Sequence, residues 1–142
     1  DLEGAIQLIP QIQSGLTLKT TVGVHPCRVK ELNQEMLSAM IGMAKEHAHL
    51  ICAVGEIGLD YDRLEYAPAD LQRYWFDRQM QQLLEAFPGH PLFLHMRAAI
   101  DDFAAIIRQH RDRFEHGVAH SFTGTADELE TLLALNLHIG LN

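Results

Sequence analysis

Four polar residues with metal-binding side chains recur along this sequence at regular intervals. Each closes an apolar segment rich in β-branched residues, and the four are His25, Glu56, His95 and His120. Three imidazoles and a carboxylate are a ligand set suited to zinc or a similar divalent ion. A single histidine in such a segment is more often a core residue bonded to the backbone, but four equivalent positions favour a shared site.

The segments that carry these residues alternate with segments of helical periodicity. Apolar runs predict buried parallel strands at 18–26, 49–60, 91–97, 116–124 and 137–142. Apolar residues at helical spacing predict helices at 33–47, 69–87, 99–109 and 125–135. Asn33 is a suitable cap for the first helix, and Thr125 and Glu128 have capping-box spacing at the last. This alternation predicts an α/β fold with a parallel sheet and right-handed crossovers.

The spacing of the four polar residues indicates a barrel. They lie 31, 39 and 25 residues apart, and one strand–helix unit of a (β/α)₈ barrel takes about 31 residues. Because the carboxyl ends of barrel strands meet at one mouth, we expect the four side chains to converge there. Glu56 has glycine neighbours, which we interpret as room for a metal or substrate to approach the backbone. The predicted fold is a partial TIM barrel with about five parallel strands.

Other polar residues are candidates of a weaker kind. His47 and His49 form a His-x-His pair like those of metal hydrolases, but they precede their strand, so we expect them at the structural, amino-terminal end of the barrel. Arg97, two residues after His95, either holds a phosphate or is a solvated residue that opens a helix. The charged residues at 60–63 begin a loop on the side of the candidate ligands, as loops often do.

Composition and charge narrow the function classes. The 142 residues are 47% hydrophobic, which suits one compact unit, and their net charge is −8. This is the wrong sign for a protein that coats nucleic acid, so a polyanionic substrate would have to be captured locally. The longest nearly uncharged stretch, residues 50–59, is too short to span a bilayer. Cys27 and Cys52 lie in apolar runs with no signal-peptide pattern before them, which predicts an intracellular protein, cytoplasmic or nuclear.

Five sequence blocks in order resemble a known family. "GVHP", "GEIGLDYDR", "PLFLHMR", "GVAHSFTG" and "HIGLN" are similar to the successive motifs of TatD-type metal-dependent DNases, closest to the eukaryotic branch. The resemblance implies a TIM barrel of the amidohydrolase kind with divalent ions at its mouth, magnesium or zinc, two of them in the intact enzyme. It also implies phosphodiester hydrolysis of DNA held at the metal cleft, often as a 3′–5′ exonuclease.

The resemblance assigns roles to individual residues by motif. Glu56 would ligate metal and bridge two ions, and His95 and His120 would complete the ligands in this chain. His25 and Arg97 would lie beside the metals and contact the scissile phosphate. The catalytic residues implied in this way are therefore Glu56, His25 and Arg97.

The sequence also departs from the family pattern. Family members begin with a strand that carries a His-x-His-like pair and end with a strand that presents an aspartate in a "TDAP"-like block, and neither is found here. Residues 1–142 therefore resemble strands three to seven of eight, a single partial barrel domain whose site would be incomplete. Two alternatives stay open: a metal-dependent amide or ester hydrolase, because one ligand set activates water for many substrates, and a noncatalytic truncated product.

Overall fold

Strands and helices alternate along the chain, as the hydropathy pattern predicts. The computed structural model describes residues 2–12 and 15–141. Across these residues the strands are β1 Thr20–Val22, β2 Ile51–Asp60, β3 Leu92–Arg97, β4 Gly117–Ala119 and β5 His138–Ile139. The α-helices of the same residues are α1 Leu2–Leu8, α2 Gln34–Glu46, α3 Ala69–Ala86, α4 Ile100–His110 and α5 Ala126–Ala134.

The order of the strands in the sheet is their order in the sequence. Each strand from β1 to β5 lies beside the next, and every pair is parallel. Successive units of a (β/α)₈ barrel are arranged in this way, so the predicted α/β class and partial-barrel topology are confirmed. Within the described residues β1 and β5 are the edges of an open sheet, and these strands alone do not close a barrel.

The ends of the sheet are shorter than predicted. β1 occupies only Thr20–Val22 of the predicted strand 18–26, because His25 leaves the ladder and caps a 3₁₀ turn at Pro26–Glu31. The hydropathy pattern also did not predict α1, a seven-residue helix with one buried side chain, Ile6. The last residue of the predicted strand 137–142, Asn142, lies outside the described residues.

The helices begin at the caps that the sequence predicts. The Asn33 side chain accepts a hydrogen bond from the Met36 backbone N–H at 2.9 Å. Thr125 and Glu128 form both bonds of a capping box at the start of α5. Each cap satisfies backbone donors that a helix leaves unpaired at its first turn. None of the helices in the described part of the chain is long and apolar enough to cross a membrane.

The core lies between β2, β3 and the helices that cover them. Val54, Ile57 and Leu59 of β2 are fully buried, and the rings of Phe76 and Phe103 stack with centroids 5.4 Å apart. Burying one such side chain contributes roughly 1.5–3 kcal/mol relative to exposure. The core thus anchors β2 and β3, which carry Glu56 and His95.

Candidate metal centre

Glu56 lies inside β2 rather than at its end. The ladder between β2 and β3 pairs Gly55 with Phe93 and then Ile57 with Leu94, so Glu56 is an extra residue with no partner on β3. A bulge of this kind bends a strand locally and re-aims a side chain, often beside an active site. The prediction that Glu56 closes its strand is therefore wrong, since β2 continues for four more residues.

The glycines around Glu56 admit the neighbouring strand. A Cβ atom on Gly55 would collide with the carbonyl oxygen of Phe93, and one on Gly58 would collide with that of His95. Both glycines also have φ near +148°, a conformation that L side chains rarely adopt. The interpretation that these glycines let a metal or substrate approach the backbone is therefore wrong. They let β3 pass close to the bulge.

Three imidazole nitrogens surround one oxygen of Glu56. Oε1 of Glu56 lies 2.6 Å from Nε2 of His120, 2.8 Å from Nδ1 of His95 and 3.4 Å from Nε2 of His25. His95 is on β3, His120 directly follows β4, and His25 lies three residues beyond β1. The structure thus brings together four of the predicted site residues from four consecutive units of the sheet.

The Glu56 carboxyl group is ionised in this setting. Burial alone would raise its pKa, but hydrogen bonds with His25, His95 and His120 outweigh burial and hold the pKa well below its usual range. The side chain is 26% exposed, so a small ion or a substrate group can reach it from solvent. An ionised carboxylate beside three imidazoles is a donor set that fits a divalent cation.

The second ring nitrogen of each histidine is also engaged. Nδ1 of His25 accepts a hydrogen bond from the Cys27 backbone N–H at 3.1 Å, which leaves the hydrogen of the neutral ring on Nε2. Nδ1 of His120 lies 2.9 Å from Oγ of Ser121, so its Nε2 faces Glu56. His25, Glu56 and His95 lie close enough together to hold a metal ion. The ring hydrogen on Nε2, however, makes His25 a hydrogen-bond donor toward the centre.

Asp60 is the site residue that sequence reasoning missed. It was expected to open a charged loop, but it is the last residue of β2 and its side chain is fully buried. Its Oδ2 lies 3.0 Å from Nε2 of His95. Asp60 is two residues beyond Gly58, the partner of His95, and residues two apart on a strand share a face. This pairing is a product of the fold, and the sequence gives no signal for it.

Arg97 lies at the end of β3, outside the contacts of the Glu56 cluster. Its Nε donates to Oδ2 of Asp62 at 2.8 Å, and its side chain is 44% exposed. Arg97 does not open a helix, since α4 begins at Ile100. It lines a cleft of about 470 Å³ together with Thr123 and Glu128, among others.

The His-x-His pair lies at the amino-terminal ends of the strands, as expected. His47 is the C-terminal cap residue of α2, and its Nδ1 lies 3.1 Å from the Met43 carbonyl oxygen. Lys19, directly before β1, donates to the carbonyl oxygen of His49, two residues before β2. His116 likewise precedes β4. All of these residues lie before the first residue of a strand. Glu56 and its three histidines, in contrast, lie within the strands or after their last residues.

The fold and the cluster together define a barrel-type α/β protein with a histidine–carboxylate centre. A family model described as TatD related DNase matches residues 2–142. The chain belongs to this family, as the motif resemblance implied.

Individual relatives agree with this assignment. The chain is 39% identical over 133 residues to a Deoxyribonuclease Tat-D of Schizosaccharomyces pombe, covering 87% of this chain and 42% of that protein. It is 40% identical over 122 residues to a 3′-5′ ssDNA/RNA exonuclease TatD of Pantoea sp., covering 86% and 45%. The crystal structure of a TatD family hydrolase from Entamoeba histolytica matches with a TM-score of 0.91 at 32% identity, covering 99% of this chain and 48% of that chain. The chain spans about half the length of the curated relatives it matches.

Proposed function

We propose that the intact protein is a metal-dependent phosphodiester hydrolase that degrades DNA from the 3′ end. The observation that carries this proposal is the convergence of three imidazole nitrogens on one ionised carboxylate oxygen. The names of relatives as deoxyribonuclease and as 3′-5′ ssDNA/RNA exonuclease support DNA as the substrate and 3′–5′ as the polarity.

Glu56, His95 and His120 are the residues that would hold a divalent ion, magnesium or zinc. Nε2 of His120 and Nδ1 of His95 lie 2.6 and 2.8 Å from Oε1 of Glu56, and Glu56 could bridge a second ion in the intact protein. The bound ion would supply a Lewis acid that activates water and stabilises charge on the phosphate.

The remaining candidates act on the substrate rather than on the metal. The Nε2–H of His25 can donate a hydrogen bond to a phosphate oxygen at the centre. Arg97 can offer its guanidinium to the same phosphate, because that group matches the geometry of two phosphate oxygens. The attraction for a polyanion is then confined to the cleft, which suits a chain whose net charge is −8.

Substitution of Glu56 tests this proposal. Glu56→Gln removes the ionised ligand and preserves its shape, so we expect metal-dependent cleavage to fall by at least about 100-fold. The assay follows a single strand labelled at its 5′ end, which should shorten stepwise when magnesium or zinc is added. Glu115→Gln, an exposed carboxylate before the start of β4 and at the opposite end of that strand from His120, is the matched control and should cleave normally.

Three results would contradict the proposal. Undiminished metal-dependent cleavage by Glu56→Gln would refute the role of this residue. A wild-type protein that is inert on nucleic acids but fast on amides or esters would favour the other hydrolase class. A protein inert on all of these would favour a noncatalytic product.

A further inference from the structure

Asp60 is a buried carboxylate whose one close side-chain partner is a candidate metal ligand. Its Oδ2 lies 3.0 Å from Nε2 of His95. The other groups near Oδ2 are farther away, Sγ of Cys27 at 3.8 Å and Nε of Arg63 at 3.9 Å. Oδ1 has no hydrogen-bond partner among the described residues.

The backbone of Asp60 is held by a second buried side chain. Oε1 of Gln72 accepts from the Asp60 backbone N–H at 2.8 Å. Nε2 of Gln72 donates to the carbonyl oxygens of Asp60 at 2.9 Å and Ala67 at 2.8 Å. Gln72 is fully buried on α3. The helix therefore fixes the end of β2, and with it the direction of the Asp60 side chain.

We infer that Asp60 is a positioning residue for His95, which keeps the ring hydrogen on Nε2 and directs the Nδ1 lone pair at the Glu56 centre. A carboxylate acts only as an acceptor, so the bond to Asp60 requires a hydrogen on Nε2. Nδ1 is then the nitrogen left for a metal. Oε1 of Glu56, 2.8 Å from Nδ1, is a second acceptor that competes with Asp60 for the single hydrogen of a neutral ring. Carboxylates that orient metal-binding histidines in this way raise their basicity as ligands.

A contribution to the stability of the fold does not explain why a carboxylate is buried at position 60. A fully buried carboxylate with one unpaired oxygen is costly, and Arg63, half exposed and 3.9 Å away, offsets little of that cost. His95 lies between two carboxylates, those of Asp60 and Glu56. A divalent cation would balance these two negative charges, which is consistent with a role in the metal centre.

The inference rests on the proposed metal site. Two variants separate the effect of the acceptor oxygen of Asp60 from the effect of its charge. Asp60→Leu removes the acceptor with little change in shape, and Asp60→Asn keeps an acceptor oxygen but loses the charge. We expect Asp60→Leu to weaken zinc binding about 10–100-fold, and Asp60→Asn to weaken it less. Zinc affinity is measured by competition with a chromogenic chelator, and circular dichroism checks the fold.

A second carboxylate–imidazole pair in the same chain is the matched control. Oδ1 of Asp77 lies 2.7 Å from Nε2 of His110, between α3 and α4. Asp77→Asn alters a similar pair outside the cluster and should leave zinc affinity unchanged. A loss of affinity equal to that of Asp60→Leu would assign the effect to general stability and overturn the inference.

The tautomer of His95 gives a readout that needs neither metal nor activity. Long-range ¹H–¹⁵N spectra of histidine-labelled protein should show the hydrogen of the neutral His95 ring on Nε2 in the wild type and in Asp60→Asn. In Asp60→Leu this preference should be lost. A wild-type His95 with its hydrogen on Nδ1, or zinc binding by folded Asp60→Leu within twofold of wild type, would overturn the inference. The expected tautomer in a protein that cleaves no DNA would leave the inference standing and refute the proposed function instead.

Discussion

Arg97 lies at the end of β3, two residues beyond His95, and is only weakly bound to its present partner. Its pair with Asp62 is about half exposed on both sides. Exposed ion pairs of this kind contribute about 0–1 kcal/mol to stability, so the guanidinium can exchange its carboxylate for a phosphate at little cost.

We therefore predict different outcomes for the two members of this pair. Arg97→Ala should lower kcat/KM for DNA by about 10–100-fold, because a hydrogen bond to a charged group is worth about 1.5–3 kcal/mol. Asp62→Ala breaks the same pair but keeps the cation, so it should retain or improve kcat/KM. The free energy of unfolding of each variant should lie within about 1 kcal/mol of the wild-type value. Equal losses of activity in both variants would show that the ion pair, and not Arg97 alone, matters.

The residues of the Glu56 cluster could be predicted from the sequence, but the residue that contacts His95 from behind, Asp60, could not. His25, Glu56, His95 and His120 stand out because their side chains can bind metal and their intervals match barrel units. Asp60 does not, because an aspartate at the edge of an apolar run has the pattern of a loop. Its role depends on a partner 35 residues away, and local hydropathy carries no information on such pairs.

At the level of elements, β2 and β3 are held together by close backbone contact at glycine. We predict that Gly58→Ala destabilises the fold by about 2 kcal/mol or more, because the new Cβ meets the His95 carbonyl and the φ is unfavourable. Gly42→Ala is the control. Gly42 lies in α2 with open space around it, and alanine there should stabilise by about 0.5–1 kcal/mol. Urea unfolding measures both, and shifts of the same sign would contradict the prediction.

Helices could be predicted more closely than strands, for a physical reason. The predicted helix 69–87 is observed at Ala69–Ala86, since the periodic pattern and the Pro88 and Gly89 that follow it are local signals. The predicted strand 18–26 is observed only at Thr20–Val22. A strand ends where its neighbour stops pairing with it, and the apolar run continues past that point. The bulge at Glu56 arises from the same long-range pairing, so it was not predicted.

For the molecule as a whole, the number of bound ions is the measurable quantity. The described part of the chain contains a single group of three or more residues that could share an ion, at the Glu56 cluster. We predict that the 142-residue chain binds one zinc ion, because a second ion would need ligands that this cluster does not offer. Calorimetric titration with zinc gives the stoichiometry. Tight binding of two ions, together with robust DNA cleavage, would show that these residues form a complete site.

The class of fold could be predicted because intervals of 31, 39 and 25 residues, on average close to one barrel unit, separate the four polar residues. Its correspondence to strands three to seven of eight stays a prediction, because it depends on motifs that this sequence does not contain. The open edges at β1 and β5 carry no pattern that specifies which strands would pair with them.

The bulge in β2 changes which residues of the strand face the core. In an uninterrupted strand the residues on one face are an even number apart, yet Val54 and Ile57 are both fully buried in the same core and are three apart. Glu56 therefore behaves as an insertion between two half-strands of opposite parity. Loss of its codon would rejoin the halves in register and erase the carboxylate, whereas a point mutation would keep the kink. In evolutionary terms, one added codon in a barrel strand is enough to place a carboxylate among the three histidines.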